Sequence, residues 1–412
     1  MKRFNYYFFP FVISMLPILA VFSSAKSVGF FVLLAFLLSL VEKFKIVKLK
    51  RNKMFLLPFI IFLSFGVLMV FLSKNITTSL KGLERYISLL IIPLIIFWSN
   101  LDLKRISFVF KSFVILMLLV SVFSFGKLIW FVEVFGDWIE VMRNVNKNDT
   151  YLQFKYPHLM WDVHPSYWSY LMIIVNIILL NNNYFKRPFS KKISIFLLLF
   201  FNLNLLYLAA RVPLVINFCI HLISITVFFR NKIKYIFISY SIIFLTLTIA
   251  YYKLPFLNYK IKAISSDDRF FLWDVAHAKV KSNYYFYGVG FGLSKQFIEG
   301  EMKNIEDTRI AYKGNEIHNQ YLIFLLETGI TGVLFLLFIY IRPNIYIHHN
   351  RKISTSLPLF SMIILIVMAS IIEPFFNVIK GIVIFSLFSS LFKLVHIDCK
   401  KSQHFKKNSI IK

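Results

Sequence analysis

The chain has 412 residues, 58% apolar and 18% aromatic against 16% charged, with a mean hydropathy of +0.70. That balance excludes an ordinary soluble domain and a disordered chain, and it indicates a polytopic membrane protein. The formal charge of +28 comes from 47 Lys and Arg against 19 Asp and Glu; in a soluble protein it would suggest nucleic acid, but here the bases sit in short loops where they orient a membrane chain.

A hydrocarbon core of about 30 Å takes about 20 helical residues to cross. Apolar runs between charged punctuation predict twelve helices, beginning with Tyr6 to Phe22, Ser27 to Val41, Met54 to Ser73, Tyr86 to Ser99, Ile106 to Val132 and Ser166 to Leu180. Ile193 to Ala209, Val212 to Phe229, Tyr235 to Leu254, Tyr321 to Ile341, Leu357 to Ile372 and Phe375 to Val395 complete the set. Lys2 and Arg3, the first apolar run and Ser23-Ser24-Ala25 also imitate a cleavable signal peptide. Pro10, Pro17 and the immediate start of another apolar run favour an uncleaved helix.

Charge sets the direction, because cytoplasmic loops collect Lys and Arg. With the amino terminus inside, the inner segments hold 26 of the 47 bases but only Glu42, Asp102 and Asp398 among the acids. The expected architecture is an all-α polytopic membrane protein of about 12 transmembrane helices, one integral membrane domain over 1–412, with both termini cytoplasmic. Two outer segments are long enough to carry function, Glu133 to Pro165 and the large loop Pro255 to Gln320. Within the second, Asp267 to Lys281 is amphipathic, with Arg269, Trp273 and Ala276 on one face, and predicts a helix lying on the membrane surface with Trp273 at headgroup level. No soluble domain with its own core is expected.

The outer face gathers the residues able to do chemistry. Gly288-Val289-Gly290-Phe291-Gly292 lacks dinucleotide spacing and reads as a tight turn. Arg211, between two apolar runs with almost no loop, is costly unless it faces a polar cavity or phosphate, or snorkels at a helix end. His318, in Glu316-Ile317-His318-Asn319-Gln320-Tyr321, and His164, in Asp162-Val163-His164-Pro165-Ser166-Tyr167, could each accept a proton near neutral pH, or simply be hydrogen-bonded interfacial residues. Neither histidine has a His-x3-His or Cys partner, so no metal site is expected. His348-His349 reads as part of a basic loop. Cys219 and Cys399 lie in different environments and make no disulfide framework. Glu327 needs a partner inside its helix, such as an arginine on a neighbour, and Asn202 and Asn204 read as interhelical hydrogen-bond donors.

Taken in order, Asp268-Arg269-Phe270-Phe271-Leu272-Trp273, Tyr287-Gly288-Val289-Gly290-Phe291-Gly292, His318-Asn319-Gln320-Tyr321 and Leu326-Glu327-Thr328-Gly329-Ile330-Thr331-Gly332 resemble the signature region of the O-antigen ligase and O-antigen polymerase superfamily. Ala209-Ala210-Arg211-Val212-Pro213-Leu214 resembles the family's arginine motif, with alanines where small polar residues often stand, and His164-Pro165-Ser166-Tyr167 resembles a segment of some members. The resemblance covers roughly Asp162 to Gly332. It implies a bacterial inner-membrane glycosyltransferase with a periplasmic site. The donor would be a glycan on undecaprenyl diphosphate and the acceptor a sugar hydroxyl of lipid A-core, or a second lipid-linked repeat unit in a polymerase. Arg211 and Arg269 would bind the diphosphate, His318 would be the general base, and His164, Tyr167, Trp273, Asn319, Tyr321 and Glu327 would line the substrate site. No nucleotide, metal or other cofactor is expected, since the lipid diphosphate supplies the activated bond and arginines can neutralise it. A polysaccharide or lipid transporter shares the helix layout, but its halves would mirror each other. A non-catalytic envelope scaffold would not need the ordered motifs.

Overall fold

The structure, a computed structural model, describes residues 2–41, 53–73, 75–99, 101–135, 163–208, 210–253, 269–280, 285–303, 317–342 and 357–410. All its regular elements are helical. They are α1 (Lys2–Phe22), α2 (Ala25–Val41), α3 (Lys53–Leu72), α4 (Ile76–Glu84), α5 (Ser88–Trp98), α6 (Leu103–Phe135), α7 (Pro165–Leu180) and α8 (Lys191–Leu208). Then follow α9 (Arg211–Phe229), α10 (Ile233–Lys253), α11 (Arg269–Lys279), α12 (Ser294–Lys303), α13 (Gln320–Ile341), α14 (Leu357–Ile372) and α15 (Ile379–Ile410). One 3-10 turn, Arg85–Ile87, joins α4 to α5. Each of the twelve predicted apolar runs falls largely on a helix, the element that satisfies its own backbone polar groups in hydrocarbon.

Among the described residues, five helices are by length and composition alone apolar enough to cross a membrane: Lys53–Leu72, Leu103–Gly126, Arg211–Phe229, Gln320–Ile341 and Ile379–Ile397, with shorter apolar helices beside them. Packing shows what surrounds them. The helix α2 is apolar almost all round, yet it buries only Val28, Val32, Ala35 and Ser39 and leaves Phe30, Leu33 and Leu37 exposed. Ile195, Phe196, Leu199 and Leu203 make a similar exposed stripe on α8. Such faces suit lipid and not water. At the centre stand α7, buried from Pro165 to Leu179, and α15, buried from Ile382 to His396, packed on each other and against α1, α6 and α14.

A buried amide cluster ties α7, α8 and α9 together. Asn176 Nδ2 donates to Asn217 Oδ1 (3.0 Å), Asn217 Nδ2 donates to Asn202 Oδ1 (2.7 Å), and His221 Nδ1 lies 2.9 Å from the Asn217 carbonyl. Asn202 is thus the interhelical group the sequence suggested. Asn204 donates instead within its own helix, to the Phe200 carbonyl.

The run Tyr321 to Ile341, expected as one spanning helix, is folded. At Gly329 the backbone leaves helical geometry (φ 69°, ψ −167°). In a straight helix Tyr321 and Tyr340 would stand about 28 Å apart, but their ring centroids are 6.3 Å apart. A Cβ on Gly332 would likewise lie 3.6 Å from the Phe324 ring. So α13 doubles back, and its halves, 320–328 and 330–341, are each too short to cross about 30 Å.

The break is held by the glycine-rich segment predicted as a tight turn. Val289 and Gly290 donate backbone N–H groups to the Leu326 and Glu327 carbonyls (2.7 and 2.8 Å), and Ile330 N–H donates to the Tyr285 carbonyl (2.8 Å). Gly288, Gly290 and Gly292 all have positive φ, and Gly288 and Gly329 sit where a Cβ would strike the opposing backbone. Backbone groups freed by the kink are thereby satisfied.

Two expectations about the large loop are corrected. The amphipathic segment is helical, as α11, but it packs on α13 rather than lying alone on a surface, and its buried ridge is Leu272, Ala276 and Val280 instead of the Arg269, Trp273, Ala276 face. These residues join Ile298, Ile317, Ile323 and Leu326 in a small second core, with half-buried Trp273 packed against it. That small core is shared with α13, so the loop helices pack onto it and not as a separate domain.

Candidate functional site

The base of the α13 hairpin, about 13 Å along the half-helix from Gly329, carries a polar cluster. Its centre is Glu373, in the turn between α14 and α15, 4% exposed. Ser166 Oγ donates to Glu373 Oε1 (2.9 Å), and His318 Nδ1 stands 3.8 Å from Glu373 Oε2. Burial alone would raise the Glu373 pKa; the imidazoles of His318 and His164 and the Ser166 hydroxyl outweigh it and hold the carboxyl below its ordinary range. A carboxylate facing Nδ1 leaves Nε2 as the nitrogen able to take a proton, and His318 is one-third exposed. A separation of 3.8 Å is long for a hydrogen bond, as often found before substrate closes a site.

His164 caps α7. Its Nδ1 accepts from Ser166 N–H (3.3 Å), and Pro165 at the first helical position has no N–H to lose. That cap delivers Ser166 to Glu373. Tyr167 is buried beside them, stacked on Phe375 with centroids 6.1 Å apart. Arg269, the first residue of α11, reaches the Ile372 carbonyl with Nη1 at 3.5 Å, one residue before Glu373. The guanidinium of Arg269 and the carboxylate of Glu373 both act electrostatically on the buried Tyr170 hydroxyl. Four elements distant in sequence therefore meet here: α7, α11, the start of α13 and the α14–α15 turn.

The other expected site residues stand as follows. Arg211 opens α9, the helix that packs along α14, and is half-buried one helix away from Glu373. Asn319 is the N-cap of α13, its Oδ1 accepting from the Tyr321 and Leu322 N–H groups (3.0 and 3.1 Å). The Tyr321 hydroxyl donates to the Val367 carbonyl (3.0 Å) and so ties α13 to α14. Glu327 lies at the far end of the half-helix, where its Oε1 accepts from Ser294 Oγ (2.6 Å), and its electrostatic arginine neighbour is Arg85. Among the described residues no group of three His, Cys, Asp or Glu could hold a metal ion.

Sequence reasoning did not single out Glu373, Ser166, Gln320, Asn377 or Arg85. For Glu373 a signal existed: Glu373-Pro374 is an acid that splits two apolar runs, and a carboxylate at such a place in a membrane chain marks function until shown otherwise.

Apolar helices exposing hydrocarbon faces, gathered around a recessed cluster of His, Glu, Ser and Arg side chains, define a multi-pass helical membrane protein. A protein-family model described as O-antigen ligase matches residues 193–337, about a third of the chain, and supports the resemblance to the O-antigen ligase and polymerase superfamily. The matched segment contains Arg211, Arg269 and His318, while His164 and Glu373 fall outside it. No curated protein matches the chain.

Proposed function

We propose that this protein is an O-antigen ligase-like glycosyltransferase that moves a glycan from undecaprenyl diphosphate to a sugar hydroxyl of lipid A-core. It would act at the periplasmic face of the bacterial inner membrane, through about twelve membrane segments. The observation that carries this reading is the His318–Glu373 pair beside Arg269, an imidazole facing a buried carboxylate 3.8 Å away next to a guanidinium suited to phosphate. The acceptor oxygen attacks the anomeric carbon as the carbon to phosphate-oxygen bond breaks, and His318 Nε2 takes the acceptor proton. Undecaprenyl diphosphate leaves carrying the growing negative charge, which Arg269 and Arg211 bind more strongly in the transition state than in the ground state. Glu373 stabilises the imidazolium that forms. Direct attack in one step inverts the sugar.

The surface polysaccharide of a deletion strain, resolved on a gel, tests this assignment. Loss of all lipid A-linked glycan is expected. A ladder reduced to a single capped repeat would make the enzyme a polymerase, and an unchanged ladder would sink both activities.

The contacts agree with the threading's sorting of helix ends into two sides, and the Lys and Arg bias assigns the side. Tyr6 and Asp102, both expected inside, share a 2.8 Å hydrogen bond, while Arg269, His318 and Glu373, all expected outside, cluster together. Reporter fusions should therefore show a periplasmic reporter active at Gly300 and a cytoplasmic one active at Lys412. The opposite pattern at either position would overturn the orientation.

A further inference from the structure

Gln320 is fully buried, and its amide is occupied on both sides. Its Oε1 accepts from the Phe376 and Asn377 N–H groups (2.6 and 3.2 Å), and its Nε2 donates to Asn377 Oδ1 (3.1 Å). Asn377 is held from the other side as well. The Tyr86 hydroxyl donates to Asn377 Oδ1 (3.0 Å), and Arg85 Nη1 donates to the Asn377 carbonyl (2.7 Å). Five hydrogen bonds thus pin the turn 373–378 to the first residue of α13 and to the 3-10 turn that interrupts α4 and α5.

The placement is specific. Gln320 is two residues after His318, and Asn377 is four residues after Glu373. The latch therefore joins the two chain segments whose facing side chains make the candidate base. Elsewhere the 373–378 turn has little regular backbone bonding of its own: Glu373 N–H goes back to Ala369, Phe375 N–H to Glu373 and Asn377 N–H to Pro374. Without the Gln320 amide, the Phe376 N–H of a buried turn would lose its acceptor, a costly state in a low-dielectric setting, and Asn377 N–H would be left with the Pro374 carbonyl. The turn would relax, and with it the Glu373 carboxylate.

We infer that Gln320 and Asn377 are positioning residues: by clamping the α14–α15 turn onto the start of α13 they hold the Glu373 carboxylate against His318. They touch no substrate in this role. The inference rests on the reading of His318 as the base; the groups acting on the Glu373 carboxylate are His318, His164 from α7 and Ser166 from α7, with Arg269 of α11 at the neighbouring Ile372 carbonyl.

A double-mutant cycle separates positioning from mere support, because residues acting through one contact lose their effects non-additively. Gln320→Met keeps the volume, Glu373→Gln removes the charge, and Asn377→Ala opens the latch from its other side should Gln320→Met fold poorly. Two readouts are taken on detergent-purified full-length protein. One is kcat and KM for transfer from a synthetic polyprenyl-diphosphate-linked glycan. The other, independent of activity, is the rate at which diethylpyrocarbonate labels His318, followed by peptide mass.

Gln320→Met is expected to lower kcat about tenfold with donor KM changed by no more than about twofold. In the Glu373→Gln background the same change should cost almost nothing further, and labelling of His318 should show the same non-additivity. Losses that multiply in the double variant, or wild-type kcat and labelling in both latch variants, would overturn the inference. If labelling is coupled but Glu373→Gln transfers at the wild-type rate, the positioning stands and the reading of the pair as catalytic falls.

Discussion

His318→Ala is expected to lower glycan transfer by about a hundredfold or more, the usual scale for loss of a general base, while the protein still folds and binds donor. The reason is geometric. His318 Nδ1 faces the buried Glu373 at 3.8 Å, so the side chain is oriented from behind and Nε2 is the nitrogen available to a hydroxyl. The acid side of the pH profile should change too, because a protonated imidazole cannot accept a proton and the alanine variant has none to protonate. Transfer in vesicles with a synthetic lipid-linked donor, followed across pH, measures both. Equal turnover with the same acid limb would move the role to His164, which also acts on the Glu373 carboxylate, or to a loop carboxylate such as Glu316.

Arg269→Lys and Arg211→Lys are each expected to lose about a hundredfold in kcat, the scale seen when one electrostatic donor to a developing anion is removed, although the charge is kept. A guanidinium presents a planar fork that matches two phosphate oxygens, and an ammonium cannot. Arg269 carries the stronger expectation from geometry, since it starts α11 and reaches the Ile372 carbonyl next to Glu373. Arg211 opens α9, whose register against α7 and α8 is fixed by the buried Asn176, Asn202 and Asn217 amides. Wild-type transfer by either lysine variant would make that arginine a snorkelling or structural residue.

The helices were legible because a membrane chain writes each one as an apolar run. What the runs could not show was a fold-back inside one of them: Tyr321 to Ile341 has the length and composition of a single span, and only the contact of Tyr321 with Tyr340 reveals two halves. Gly329 and Gly332 were visible, but a glycine pair in such a helix more often means close packing. Short polar helices left no apolar trace, so α4 and α12 were missed, with Ser294, Lys295, Glu299 and Glu301 giving α12 the composition of a loop. The site was half legible. His318, His164 and Arg269 stood in recognisable motifs and do converge. Glu373, which joins them, lies 207 residues from Ser166, and that pairing is a product of tertiary packing alone. Asn319 caps α13 and Tyr321 anchors it to α14, two structural tasks that their motif alone did not announce.

The doubled-back α13 also separates two tasks along one short rod. At its tip, segment 285–292 is bolted to the chain by backbone bonds that depend on glycines and on no particular side chain. At its base, about 13 Å away, stand the histidine and carboxylate. Side chains at Tyr285, Phe286 and Tyr287, which are exposed, can therefore be exchanged without disturbing the bolts or the base. Variation at the exposed tip is thereby insulated from the polar cluster at the base, so either end of the rod can change without resetting the geometry of the other.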